Sequence, residues 1–144
     1  MIEIKRITTL DPFYEQERHL RNIVLLRPIG IPDNAWEMND SDSWHFVAIK
    51  NKEVIGCVVL YPIESGTEKA QLMQMAIKPK FQGIGIGKLL INDLIAFARK
   101  EGVKEIICHS RQNVNTFYEK IGFEIYGQSF EEVGISHNHM KLKI

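Results

Sequence analysis

Gln82-Gly83-Ile84-Gly85-Ile86-Gly87 decides how this chain is read. Three glycines in five residues follow an alternating run, residues 69–78, which ends before Pro79. A long amphipathic run from about residue 85 to residue 100 comes next. In it Ile86, Leu90, Leu94 and Phe97 recur at helical spacing, flanked by Leu89, Ile91, Ile95 and Ala98. An apolar face this wide predicts a helix lying flat on a sheet. The glycines therefore fall in the turn of a strand–turn–helix unit. Glycine admits the turn and leaves no side chain in the way of a ligand. The helix start adds unpaired N–H groups and the positive end of its dipole, so a pyrophosphate is the natural guest.

Two familiar phosphate loops do not fit. A P-loop needs Gly-x-x-x-x-Gly-Lys-Ser/Thr; Gly87-Lys88 is present, but residue 82 is Gln and residue 89 is Leu. A dinucleotide fingerprint needs Gly-x-Gly-x-x-Gly. Counted from Gly83 its third position is Lys88, and from Gly85 it is Leu90.

Outward from this unit, the chain alternates strands and helices. Residues 2–7 predict a short strand. Asp11-Pro12 reads as an N-cap with proline at the first helical position, opening a helix to about Arg27, before Pro28. Residues 28–43, rich in Pro, Gly, Asn and Asp, predict a loop. Strands are expected over 44–49 and 53–61, joined by the turn Lys50-Asn51-Lys52, with a second turn within 63–67. Beyond Gly102, residues 104–108 predict a short buried strand, 113–120 a short helix closed by Gly122, and 123–126 and 135–142 the last strands. The expectation is one α/β domain over residues 1–144, with a mixed sheet and no repeat or linker.

With 144 residues the chain can bury a full core. Lysine plus arginine and aspartate plus glutamate balance at 18 each, which gives no electrostatic reason to expect nucleic acid or an anionic membrane as partner. No apolar run has the length of a membrane span. Residues 1–11 alternate in charge and lack the apolar core of a signal peptide. Cys57 and Cys108 sit in apolar runs and read as buried free thiols. A cytoplasmic, reduced protein is the expectation. The histidines and cysteines show no metal-ligand spacing, so no metal is expected.

The Gln-x-x-Gly-x-Gly arrangement resembles the coenzyme A pyrophosphate loop of the GCN5-related N-acetyltransferase (GNAT) superfamily. Phe117-Tyr118-Glu119-Lys120-Ile121-Gly122-Phe123 is similar to a second family motif, in which the tyrosine protonates the departing thiolate. The order and separation of both motifs agree with the family, and the likeness spans almost the whole chain. It implies a mixed, mostly antiparallel sheet splayed between its fourth and fifth strands. It also implies acetyl-CoA as co-substrate, held by the backbone near Met75-Ala76-Ile77, by Gln82, Gly83, Ile84, Gly85, Ile86, Gly87 and Lys88, and by Asn113 and Tyr118. A finer resemblance, to glyphosate-type N-acetyltransferases and related bacterial proteins, rests on Leu20-Arg21-Asn22 through Leu26-Arg27-Pro28, Gln71-Leu72 with Met75-Ala76, Arg111, and Val133-Gly134 with His137 and Met140. Ser136 stands where that subset often has proline, and Met73 where it carries arginine.

Amide formation from a thioester needs a neutral amine, stabilisation of the carbonyl oxygen and a proton for the leaving thiolate. Tyr118 is the candidate acid: a phenol is protonated at neutral pH. His137 is the candidate base, since imidazole titrates near neutrality. His139, two residues on, shares its face in a regular strand; periodicity does not rank the two, and the resemblance favours His137. Arg27 and Arg111 offer guanidinium groups to an acidic acceptor, and Met73 and His137 are further candidate acceptor contacts; Arg111 faces either acceptor or coenzyme A. Asn113 and Asn115 read as caps of the short helix. The expected activity is acetyl transfer to the amine of a small molecule, with residues 28–43 covering the pocket. The alternatives are a non-catalytic acyl-CoA-binding module and a protein N-acetyltransferase. A homodimer is the default assembly.

Overall fold

A computed structural model describes residues 1–63 and 68–144; most of the turn expected at 63–67 lies outside the described residues. Seven strands form one sheet in the order β1-β2-β3-β4-β5-β7-β6. They are β1 (Glu3–Ile7), β2 (Trp44–Lys50), β3 (Glu53–Pro62), β4 (Lys69–Ile77), β5 (Glu105–Arg111), β6 (Glu124–Glu132) and β7 (Ile135–Lys143). Among the described residues only β4 and β5 pair in parallel; all other neighbours are antiparallel. The mixed sheet and its element order are as the sequence pattern predicts.

Helices α1 (Tyr14–Arg21), α2 (Ile86–Lys100) and α3 (Asn115–Ile121) flank the sheet. On α2, Ile86, Leu90, Ile91, Leu94 and Ala98 are buried and pack with Phe46, Ile55, Val58 and Leu72 in the main core. Gly56 on β3 is what lets α2 sit so close. A Cβ there would meet Ile77 Cδ1 at 2.9 Å and both Ile86 and Leu90 at 3.2 Å. The opposite face of the sheet carries a smaller core, in which Leu20 of α1 packs with Val47, Ile49, Val54, Cys57 and Ala76. Cys57 and Cys108 are buried free thiols, and burial pushes the Cys108 thiol up to about 12.

Several boundaries move, each for a local reason. Asp11 does accept from the Phe13 N–H at 2.8 Å, but the regular helix starts only at Tyr14. It ends at Arg21, widens into a π-helical turn, Asn22–Leu26, and tightens into a 3-10 turn, Arg27–Ile29, closed by Gly30 at φ 74°. Buried Asn22 anchors that irregular stretch, pairing with the side chain and backbone of Asn34 at 3.0 and 2.8 Å. β5 runs past Cys108 because His109, Ser110 and Arg111 find partners in β7. β6 is far longer than residues 123–126. Its outer half is polar and largely exposed, which erases the alternation that reveals a strand, and Val133-Gly134 at φ 49° and 76° turns it into β7. The short helix starts at Asn115 without the expected side-chain cap. Asn115 Nδ2 donates instead to Asn138 Oδ1 at 2.8 Å.

Candidate functional site

Two irregularities in β4 open the sheet. At Gln74 the backbone turns left-handed, φ 52°, and the register with β3 jumps from Cys57↔Ala76 to Val59↔Met73, a bulge. On its other side β4 pairs with β5 only from Lys69↔Glu105 to Leu72↔Cys108. Beyond those residues the two strands separate, leaving unpaired backbone on both sides of a gap. Bulges re-aim a strand and end pairing in this way.

A cavity of about 910 Å³ runs through the gap. On the α2 and α3 side it is lined by Gln82, Gly83, Gly85, Gly87, Phe117 and Tyr118. On the α1 side Leu25, Trp36, Met38 and Asn39 line it, and Met73, Gln74, His109, Arg111, Glu132 and His137 come from the strands and their ends. The glycines of the loop serve different needs. Gly83 and Gly85 are left-handed, at φ 80° and 93°, with open space where a Cβ would stand. Gly87, inside α2, is a packing glycine: a Cβ would lie 3.2 Å from the Phe117 ring and 3.6 Å from Met75 Sδ. Gln82 ties the loop back to β4, its Nε2 donating to Ile77 O at 2.9 Å. The first turn of α2 has no acidic residue, so its N–H groups and dipole stay available to an anion.

Tyr118 is buried among Phe117, Phe123 and Cys108, and its hydroxyl has no hydrogen-bond partner among the described residues. Burial raises its pKa, which keeps the phenol protonated through the neutral range. His137 is buried on β7, opposite Arg111 of β5. Its Nδ1 lies 2.7 Å from Ile135 O, an acceptor, so Nδ1 carries the hydrogen and Nε2 is the basic nitrogen of the neutral ring. Nε2 lies 3.9 Å from Glu132 Oε2, and the same carboxylate oxygen is 3.2 Å from His109 Nδ1. His139 shares the face of His137, as periodicity predicts, but does not line the cavity. It stacks on Phe130 with ring centroids 4.3 Å apart.

The structure thus gathers most of the expected residues, namely Met73, Met75, Ile77, Gln82, Gly83, Gly85, Ile86, Gly87, Lys88, Arg111, Tyr118 and His137, on one cavity. Four stand outside its lining. Arg27 is exposed and paired to Asp33 at 2.7 Å. The Ala76 side chain packs into the α1-side core, Ile84 projects into solvent, and Asn113 is exposed in the 3-10 turn before α3. The Arg111 guanidinium has no ion-pair partner among the described residues. Sequence reasoning passed over Trp36, Gln74 and Glu132. Nothing in the composition of residues 69–78 marks the bulge that turns Gln74 inward.

Residues 31–144 match the family model described as Acetyltransferase (GNAT) domain. The chain is similar to N-acetyltransferase 8 of Rattus norvegicus, 28% identical over 102 residues, which is 67% of this chain and 46% of that protein. The chain therefore spans about half the length of the curated relatives it matches. In fold it is similar to Escherichia coli ElaA, with a TM-score of 0.86, 18% identity and coverage of 98% of this chain and 99% of the other. It is also similar to a GNAT family acetyltransferase from Elizabethkingia anophelis solved with acetyl-CoA bound, with a TM-score of 0.74, 24% identity and coverage of 99% and 98%. No helix among the described residues is long and apolar enough to cross a membrane.

Proposed function

This chain belongs to the GNAT acetyltransferase family, and we propose that it is an acyltransferase moving an acetyl group from acetyl-CoA to the amine of a small molecule. One observation carries the reading. The glycine loop, the β4–β5 gap, Tyr118 and His137 all open on the same cavity. In this reading Gly83, Gly85 and the first turn of α2 hold the pyrophosphate, with Lys88 beside it. The pantetheine arm enters the gap and pairs with the free edge of β4, a form of strand addition. Backbone N–H groups near Met75 and Ile77 stabilise the carbonyl oxygen as the amine attacks. His137 Nε2 takes the proton the amine loses, and the Tyr118 hydroxyl supplies one to the thiolate as the carbon–sulfur bond breaks. Much of the acceleration comes from holding amine and thioester in line.

Arg111 is the cavity's uncommitted guanidinium and suits an acceptor carrying a carboxylate or phosphonate. That preference rests on Arg111 alone, since Met73 stands where glyphosate-type enzymes carry arginine. Trp36, Met38 and Asn39 wall the cavity on the α1 side, and we read that wall as suited to a small acceptor rather than a protein segment. The test is thiol release from acetyl-CoA across amino acids, aminophosphonates, polyamines, aminoglycosides and a lysine peptide. Amine-dependent release with an acidic small molecule preferred is the expected result. Acetyl-CoA binding without release for any amine would support the non-catalytic alternative, and release with the peptide alone would support a protein acetyltransferase.

A further inference from the structure

Behind the cavity, on the α1 side of the sheet, lies a charged cluster that the reaction does not use. Glu17 and Arg21 of α1, Asp40 at the end of the 30–43 segment, and His45 of β2 are all buried. Arg21 Nη1 donates to Glu17 Oε2 at 2.7 Å and to Asp40 Oδ2 at 2.9 Å. Its Nη2 donates to Asp40 Oδ1 at 3.1 Å and to Trp36 O at 2.9 Å. The Tyr14 hydroxyl donates to Asp40 as well. His45 Nδ1 lies 2.8 Å from Glu17 Oε2, and its Nε2 lies 2.7 Å from the backbone oxygen of Asp40.

Both partners of the His45 ring are acceptors. A neutral imidazole has one hydrogen for the two, which would set a lone pair against a lone pair at the other contact. An imidazolium satisfies both. It also balances the cluster, Arg21 and His45 against Glu17 and Asp40, in a place where an unpaired charge is costly. Glu17, Asp40 and His45 have ligand atoms within 4.8 Å of one another, but Arg21 bonds both carboxylates and opposes a metal cation there.

We propose that His45, held as a buried imidazolium, is the positioning residue that fixes the α1-side wall of the cavity. Calling that wall the acceptor side rests on the acetyl-transfer reading; its attachment to His45 does not. The contacts form a chain. His45 holds the backbone of Asp40, Arg21 holds the carboxylate of Asp40 and the carbonyl of Trp36, and Gln74 Nε2 donates to that same carbonyl at 2.8 Å from the β4 bulge. Trp36, Met38, Asn39 and Gln74 all line the cavity.

The neighbouring titratable groups Tyr14, Cys57 and Glu37 add no competing charge to the His45 ring. Tyr14 of α1 meets it edge-on at 5.6 Å, and burial with the Asp40 hydrogen bond keeps that phenol neutral. Cys57 of β3 is held neutral by burial and by the Glu17 charge. Glu37 is engaged by Arg18 at 2.9 Å, and β1 offers apolar Ile7 opposite His45. Burial alone would lower the proton affinity of His45, but the hydrogen bond and charge of Glu17 and the Asp40 carbonyl outweigh it, and the net direction is upward. The imidazolium's contribution is therefore complete below the ordinary value of about 6.5 and fades as pH rises through the raised folded value.

Two measurements on the full chain test this without requiring turnover, so they stand or fall apart from the acetyl-transfer reading. Nitrogen NMR of the histidine rings is expected to show both nitrogens of His45 protonated at neutral pH. Hydrogen exchange, corrected for intrinsic rates, is expected to show protection of residues 30–43 falling about tenfold or more as that ring titrates, the scale of one lost charge-assisted hydrogen bond, while β3 stays protected. His45→Gln should leave residues 30–43 weakly protected at every pH. With an amine identified in the turnover panel, it should raise that amine's KM about tenfold and leave the KM of acetyl-CoA unchanged. A singly protonated His45 at neutral pH, or wild-type protection of 30–43 that ignores its titration, overturns the proposal. If His45→Gln fails to fold, the wild-type titration decides alone.

Discussion

Replacing Tyr118 by phenylalanine removes one hydroxyl and keeps the edge-on ring packing with Phe117 and Phe123, at 5.2 and 5.4 Å. Turnover is expected to fall about a hundredfold, the usual weight of a general acid, with acetyl-CoA affinity held. Steady-state kinetics beside calorimetric titration checks both halves, and unchanged turnover would remove Tyr118 from the chemistry. For His137→Ala, kcat is expected to fall about a hundredfold with acetyl-CoA affinity held; an unchanged kcat would end the base assignment. The place of these two residues on the cavity was legible through the family resemblance, Tyr118 by the motif from Phe117 to Phe123 and His137 even though Ser136 stands where the subset often has proline. Gln74 was not, since a left-handed residue in a strand leaves no compositional trace. Arg27 stands apart from the cavity for a related reason. Its place before Pro28 is legible, but its engagement by Asp33 depends on how the 30–43 segment folds back.

Among elements, α2 and the turn that launches it show why glycine count alone says little. Gly83 and Gly85 are needed for their backbone, Gly87 and Gly56 for what stands opposite them. Gly85→Val should therefore abolish acetyl-CoA binding, through both strain at φ 93° and occlusion of the helix start, a loss that calorimetry would register directly. Gly56→Ala should instead destabilise the fold by about 1–3 kcal/mol, because Ile77, Ile86 and Leu90 must shift to admit the methyl group. Chemical denaturation would read that cost, and an unchanged midpoint would show that α2 yields freely. The long periodic helix and the buried central strands were predictable because their apolar spacing is their main determinant. The outer half of β6 and the π-helical turn after α1 were not. One is polar on an exposed edge, and the other is set by Asn22 reaching Asn34 across the chain.

Across the whole molecule, the two faces of the sheet contribute separate halves of the cavity, which meet where β4 and β5 part. On one side α2 and α3 bring the glycine loop and Tyr118; on the other, α1 and residues 30–43 bring a wall tied down by buried charge. A ligand that enters the gap touches both halves and should stabilise the fold by mass action. At a hundredfold excess over its Kd, acetyl-CoA is expected to raise Tm by roughly 6–10 °C, read by thermal scanning, while free adenosine at the same concentration should do far less. The most direct test of the central claim is a crystal structure of the chain with acetyl-CoA. The account predicts the pyrophosphate on the N–H groups of Gly83 to Lys88, the pantetheine between β4 and β5, and the thioester sulfur within hydrogen-bond reach of the Tyr118 hydroxyl. A coenzyme bound elsewhere, or a sulfur remote from Tyr118, would contradict it.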